Sequence, residues 1–444
     1  MKIQLSDHFT YGKLLRFTIP TISMMIFTSI YSVVDGYFVS NFAGKTPFAA
    51  VNLIMPFLMI LGTVGFIFGT GGTALVAMTY GQGDQEKANE YFSLFVYLAF
   101  ALGIVFAVLG MIFIRPAAKL LGADGELLDN CVRYGRIILA ALPFFITSVM
   151  FQSFFVAAER PKMGMLVTVF SGIINMILDA VLVLSLPQDL KLIGAAIATA
   201  IAQTFSGVVP LVYFLRNNSS ILKLGKTKYD GKAVRKACTN GLSEFMTNIS
   251  MSIVGMLYNL QLIKYAGENG IVAYGVMMYV SMIFGMAFGG YSMGTAPVIS
   301  FHFGAQNKAE LSGLLKKSLV ILGISGIGMF AVAELLAVPL ASIFVGYDQE
   351  LMQLTVSGFR IFSLVFLFMG FSIFSSGFFT ALNDGVTSAI ISFLRTMVFE
   401  CAAVMLLPRI FGTTGIWASV LVAEGMSLIL GTYFLITKKP RFGY

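Results

Sequence analysis

The sequence predicts an all-α polytopic membrane protein, with twelve transmembrane helices in two pseudo-symmetric six-helix bundles related as a parallel repeat about an axis along the membrane normal. Three observations predict it. Of 444 residues, 57% are hydrophobic and 11% charged, against a usual charged share of about 25%, so much of an ordinary soluble surface is missing. Twelve apolar stretches are long enough to cross about 30 Å of hydrocarbon. The chain also aligns with itself at a shift of about half its length.

Composition excludes a soluble globular enzyme. A mean hydropathy of +0.87, with 42 Phe, 25 Met and 45 Gly, suits lipid-facing helices that pack closely on small residues. Cys131, Cys238 and Cys401 lie far apart, as do His8 and His302. No disulfide framework, zinc spacing or haem ligation is therefore expected, and no cofactor beyond a coupling cation. The net charge of +8 reads as basic cytoplasmic loops rather than nucleic-acid binding. The opening MKIQLSDHFTYGKLLRF is polar and precedes too long an apolar run for a cleaved signal peptide.

The predicted spans fall near 14–40, 47–80, 91–114, 133–157, 163–186 and 192–215, then near 237–265, 270–303, 317–340, 355–381, 385–408 and 413–437. Two uncharged runs, 46–83 and 269–307, are long enough to suggest two helices each. They contain no central polar turn, so each is expected to be one long helix with an irregular, glycine-rich second half. The domains are thus 1–215, a basic linker 216–236 and 237–444. With the N-terminus inside, 19 Lys and Arg lie on the cytoplasmic side against about nine opposite. That bias puts both termini and the linker in the cytoplasm, with the linker on the anionic inner leaflet.

A shift of 223 aligns Phe42-Ala43-Gly44 with Tyr265-Ala266-Gly267, Gly71 with Gly294 and Tyr80-Gly81 with Phe303-Gly304. Later segments align at 221: Gly164 with Gly385, Pro187 with Pro408, Gly194 with Gly415 and Gln203 with Glu424. Six spans per half is an even number, so both halves enter from the same side and enclose a central cleft. Rocking about that cleft gives alternating access, with the linker as the tether between the bundles.

Ionisable groups at membrane depth are costly and are functional candidates by default. Asp35 lies deep in the first span and Asp179 deep in the fifth; Tyr31 and Asn175 precede them by four residues, on the same helix faces. Two carboxylates with an amide and a hydroxyl can cage a small hard cation or trap a proton. The plainer alternative is a pair of interhelical hydrogen-bonding acids kept for packing. Under the repeat, Asp179 falls on Glu400, Asn175 on Thr396 and Asp35 on Tyr258, so the second half keeps one acid. Arg395 stands five residues before Glu400, not quite on its face, as a counter-ion or a substrate contact. Glu400, Arg395, Glu244 and Tyr258, with Met55 and Met278, are candidates for the substrate cleft; Glu244 is read as nearer the interface than the centre, and Glu334 and Glu424 as solvated or paired. Met55, Phe57, Met278 and Met282 are candidates for an adaptable apolar cleft.

FTIPTI (17–22), SVVDGYFVSNFAG (32–44), FGTGGTALVAMTYGQGD (68–84), FGGYSMGTAPVISFHFGAQN (288–307), AAERPKMG (157–164) and LIGAAIAT (192–199) carry a resemblance over essentially the whole chain. It resembles the multidrug and toxic compound extrusion (MATE) family, most of all its MepA-like bacterial branch. The resemblance implies that Asp35, Asp179, Asn175 and Thr199 line a cation-binding pocket in the first half. It also implies a monomer that exports amphipathic or cationic organic compounds in exchange for Na⁺ or H⁺ by alternating access. One departure is TNGLSEF (239–245), which has Ser243 where many members have proline and lacks a mid-helix acid. A flippase for lipid-linked precursors or polysaccharides is the alternative on the same scaffold; it needs a strongly cationic cavity, and Arg395 is nearly alone. No phosphate-binding loop and no buried catalytic constellation is present, so neither direct ATP drive nor an enzyme is expected.

Overall fold

Long apolar runs in this chain are punctuated by short polar caps, and the caps decide where each helix begins. Thr10, Asp84, Asp230, Asn307, Asp348 and Asp384 each accept a hydrogen bond from a backbone N–H one to three residues inside a helix. Asp84 and Asn307 are repeat equivalents, capping corresponding helices of the two halves.

The computed structural model describes residues 3–216 and 218–444. Lys2, counted above among the basic residues, and Asn217 of the linker lie outside them. The first half runs α1 (Tyr11–Phe38, continued by a π turn Val39–Ala43), α2 (Lys45–Phe66, a π turn Ile67–Gly72, then Thr73–Gly81), α3 (Gln85–Leu120), α4 (Gly125–Ala157), α5 (Pro161–Ser185) and α6 (Lys191–Leu215). The second half opens with 74 continuous helical residues, Gly231–Gly304. At 1.5 Å per residue these would extend about 110 Å, far beyond one bilayer. Gly267, at φ 60° and ψ −155°, turns the chain back on itself and divides the run into α7 (231–266) and α8 (268–304). Then come α9 (Lys308–Val345), α10 (Gln349–Ser363 and Phe366–Ala381, bent by 47°), α11 (Gly385–Phe393, a π turn Leu394–Glu400, then Cys401–Phe411) and α12 (Thr413–Thr437). Twelve apolar crossings result among the described residues. Both long uncharged runs are single helices, and the irregularity expected in the first is the π turn at Ile67–Gly72.

Each half has its own apolar core, one from the π turn after α1 through α6 and the linker to Ala237, the other from α7 to the C-terminus with Val156 of α4. The chain start crosses over: Leu5, Phe9, Leu14 and Phe17 are buried with the second core. Their backbone is held by acids of both halves. Leu5 N–H donates to Glu159 (2.9 Å) and Phe9 N–H to Glu310 (2.8 Å). The linker is also more closely held than a free tether. Lys223 N–H donates to Asn89 Oδ1 (2.9 Å), Gly225 N–H to Ser93 Oγ (3.0 Å) and Thr227 Oγ1 to the Glu90 carbonyl (2.8 Å), which lays it along α3.

The halves meet through glycines, and the contacts are reciprocal. A β carbon on Gly81 would collide with the Phe301 carbonyl, and one on Gly304 with the Met78 carbonyl. The 223 shift turns Gly81 into Gly304 and Met78 into Phe301, so these are one contact viewed from its two sides. Gly71 against Gly241 and Gly294 against Thr18 form a second reciprocal pair. Reciprocity is the mark of a two-fold relation, and six crossings per half make both halves parallel. All these approaches use the start of α1 and α7 and the end of α2 and α8, so the molecule is sealed at that end.

Asp384, in the short turn before α11, ties the C-terminus to the fold. It accepts from Thr387 Oγ1 (2.7 Å) and from Lys438 Nζ (2.6 Å). Burial pushes its carboxyl up, but the hydrogen bonds from Lys438 and Thr387 outweigh this and hold it below the usual carboxylate range. Asp384→Asn should therefore lower stability by about 1–2 kcal/mol near neutral pH. The carboxylate's contribution is complete above the ordinary Asp value of about 4 and is lost as pH falls through the depressed folded value. Melting curves of both proteins in detergent should thus converge on acidification; a difference that grows on acidification contradicts this account.

Candidate functional site

The acids predicted from α1 and α5 meet inside the first half. α1 and α5 pack closely because Gly172 has no side chain to hold them apart: a β carbon there would meet the rings of Phe27 and Tyr31. That approach brings Asp35 of α1 beside Asp179 of α5, with Asn175 and Thr199 turned toward the same point. Asn175 Nδ2 donates to Thr199 Oγ1 at 3.4 Å, so α6 joins the site through Thr199. Asp179 is fully buried and Asn175 nearly so.

The polar atoms there are short of partners. Both carboxylate oxygens of Asp179, Oδ1 of Asp35 and Oδ1 of Asn175 are buried with no hydrogen-bond donor. Leaving such acceptors dry and unpaired costs about 1–3 kcal/mol each. Two carboxylates side by side also repel each other unless a cation or a proton lies between them. The arrangement therefore fits a small cation or a proton as guest. Tyr31 stands one turn before Asp35 and within its electrostatic range. Tyr134 of α4, buried, lies within range of both acids. Sequence reading passed over Tyr134 because nothing in α4 distinguishes it; only the fold brings its ring within range of both acids.

The second half holds a different set. Arg395 donates through Nε (2.9 Å) and Nη2 (2.6 Å) to one oxygen of Glu424 on α12. Glu424, read from sequence as solvated or paired, is the buried partner of Arg395, which leaves Glu400 without a hydrogen bond or ion pair among the described residues. The local backbone explains why Glu400 is nonetheless near. Residues five apart on an α-helix point about 140° from each other, but Leu394–Glu400 is a π turn, whose wider i→i+5 coil turns Arg395 and Glu400 toward one side. Tyr258 of α7, fully buried, stacks on Tyr274 of α8 with centroids 4.9 Å apart. Both tyrosines lie within electrostatic range of Glu400.

The remaining candidates do not converge. Glu244 of α7 joins neither set and has no charged side chain nearby among the described residues. Met55 and Phe57 pack against the first half's core. Met278 of α8 is exposed and belongs to neither core. Glu334 of α9 accepts from Ser363 Oγ at 2.6 Å.

Known proteins share this design. The MatE family model matches the chain twice, over residues 20–181 and 245–406, an offset close to the internal shift. The multidrug export protein MepA of Staphylococcus haemolyticus (strain JCSC1435) is 25% identical over 432 residues, covering 97% of this chain and 94% of its own. MepA of Staphylococcus aureus (strain MSSA476) is 24% identical over 435 residues, with the same coverage. A solved outward-facing multidrug-resistance MATE transporter of the MOP superfamily superposes with a TM-score of 0.92 at 20% identity, covering 98% of this chain and 97% of that one. A MOP-superfamily transporter from Pyrococcus furiosus Vc1 superposes with a TM-score of 0.89, also at 20% identity and 98% of each chain. With its family model matched twice and across most of its length, the chain belongs to the MatE family.

Proposed function

We propose that this protein is a secondary multidrug efflux antiporter, which exports amphipathic or cationic organic compounds in exchange for Na⁺ or H⁺ by alternating access. One observation carries the coupling: four partnerless oxygens of Asp35, Asp179 and Asn175 gathered inside one half. The export role follows the relatives, which are multidrug export proteins matched over nearly their full length. Asp35 stands 17 residues beyond Thr18 on α1, about 25 Å along the helix from the sealed level. A guest ion at Asp35 and Asp179 is thus reached from the open side while the sealed end blocks the other. The flippase alternative asks for free positive charge at depth, and the pairing of Arg395 with Glu424 speaks against it.

In this reading the protein works as a monomer in the bacterial cytoplasmic membrane, with the termini and residues 216–236 in the cytoplasm. Drugs enter among the apolar and Met side chains between the halves, and Met278 is the exposed member of that set. Lys226→Cys in the linker should resist an impermeant maleimide in intact cells and react in inverted vesicles; labelling in intact cells reverses the topology. Purified protein in liposomes should expel a loaded cationic dye when an inward Na⁺ gradient or pH gradient is imposed, and the gradient that works names the ion. Efflux under neither gradient removes the antiport.

A further inference from the structure

Where the chain passes from the first half to the second, the linker, the start of α3 and the first turn of α7 enclose an open cavity of about 700 Å³. Asp230, which caps α7, ties these elements together. One of its carboxylate oxygens accepts from the N–H groups of Lys232 (2.9 Å) and Ala233 (3.1 Å), and the other from the Tyr91 hydroxyl of α3 (3.3 Å). Both oxygens of that acid are therefore engaged. Lys87, Lys228 and Lys232 line the same cavity and are exposed, and none of them forms an ion pair among the described residues. Lys87 Nζ stands 5.7 Å from the centroid of the Tyr91 ring and within electrostatic range of Asp230. Glu90 is the other acid in the lining. Three lysines against two carboxylates leave one positive charge. The cavity also lies at headgroup level. The 36 residues of α3 make about 54 Å of helix, against about 40–45 Å for a bilayer with its headgroups, and Lys87, Glu90 and Tyr91 occupy its first two turns. Lys and Tyr are the residue types that settle at that interface. The Lys223 and Gly225 N–H groups, bonded to Asn89 and Ser93, hold the linker against α3, so the lysines that follow are presented by a fixed backbone.

We propose that this cavity binds the phosphate of an anionic phospholipid, held by Lys87, Lys228 and Lys232 at the junction of the two halves. A phosphodiester carries one negative charge, which neutralises the one positive charge of the cavity. A free phosphate group carries about −1.5 to −2 at pH 7 and would leave an excess beside Glu90. The site is more than the attraction of a basic linker for an anionic leaflet, because Lys87 belongs to α3 and only the fold sets it beside Lys228 and Lys232. The proposed topology bears only on which leaflet supplies the lipid. Binding is therefore measured in detergent, where a reversed topology changes nothing and a missing site still shows.

The test uses full-length protein, delipidated in detergent and titrated with phosphatidylglycerol or phosphatidylcholine, with bound lipids counted by native mass spectrometry. One phosphatidylglycerol should bind in clear preference to phosphatidylcholine. A lysine facing an anionic headgroup contributes about fivefold, and the two acids in the lining offset part of this. Lys87→Gln, Lys228→Gln and Lys232→Gln together should still weaken phosphatidylglycerol binding by about tenfold or more, to the level of phosphatidylcholine. Lys223→Gln, Lys226→Gln and Arg235→Gln together remove the same charge outside the cavity and should largely preserve the preference. All six side chains are exposed, so both variants should fold. No preference in the unmodified protein, or equal loss in the two triple variants, overturns the proposal. Displacement of the lipid by millimolar inorganic phosphate overturns it too, since the occupant would then be a free anion.

Discussion

Asp35→Asn and Asp179→Asn should each abolish gradient-driven efflux while leaving drug binding within a few-fold of the unmodified protein. The reason lies in the shortage of donors: Asp179 presents two bare oxygens, and Asp35 and Asn175 one each. Replacing either carboxylate by an amide removes half the negative charge that holds a cation and places an N–H₂ donor where an acceptor stood. The guest then has no reason to bind, and its gradient no longer moves the protein between states. In the proposed reading the organic molecule is held among apolar groups between the halves rather than by these acids, so drug affinity should be kept. Equilibrium dye binding and gradient-driven efflux measured on the same purified variants separate the two. Parallel loss of binding and efflux assigns Asp35 to the drug, and normal efflux in both variants removes the coupling mechanism.

Gly81→Leu and Gly304→Leu should each cut transport by about 5- to 150-fold without unfolding either half. Their β positions collide with carbonyls across the interface, at Phe301 and Met78. Overpacking of this kind costs about 1–3 kcal/mol, and the cost falls only on the state in which this end is closed. A two-state equilibrium moves by the corresponding factor. Because the contacts are repeat equivalents, the two substitutions should act to a similar degree. Distances between spin labels placed beyond α2 and α8 should lengthen in both variants. An effect confined to one of the two would show that the reciprocity has no functional weight.

Much of this was legible in the sequence because membranes impose simple rules. A bilayer demands a fixed length of apolar helix with every backbone group satisfied internally, so span number follows from hydropathy, and the repeat from aligning the chain with itself. Gly44, Gly267 and Gly412, all at positive φ, mark turns that an apolar run would otherwise conceal. Asp35 and Asp179 were recognisable because a carboxylate at membrane depth must have a purpose. Tyr134 was not, since a tyrosine in an apolar helix has many uses. Nor was the choice of Glu424 over Glu400 by Arg395, because helical periodicity places residues 395 and 400 on different faces, and no pattern announced the π turn that alters it.

The sequence by itself determined an all-helical, twice-repeated membrane chain with one pair of acids deep in its first half, because hydrophobic length, charge exclusion and repetition are local properties of the chain. Only the tertiary structure decided which side chains share a site. Whether Asp35 reaches Asp179, whether Tyr134 stands near them, and whether Gly81 meets Met78's equivalent across the interface depend on the rotation and depth of each helix. These are set by packing between segments far apart in sequence, where a glycine such as Gly172 lets two helices approach and a single π turn redirects the side chains that follow it.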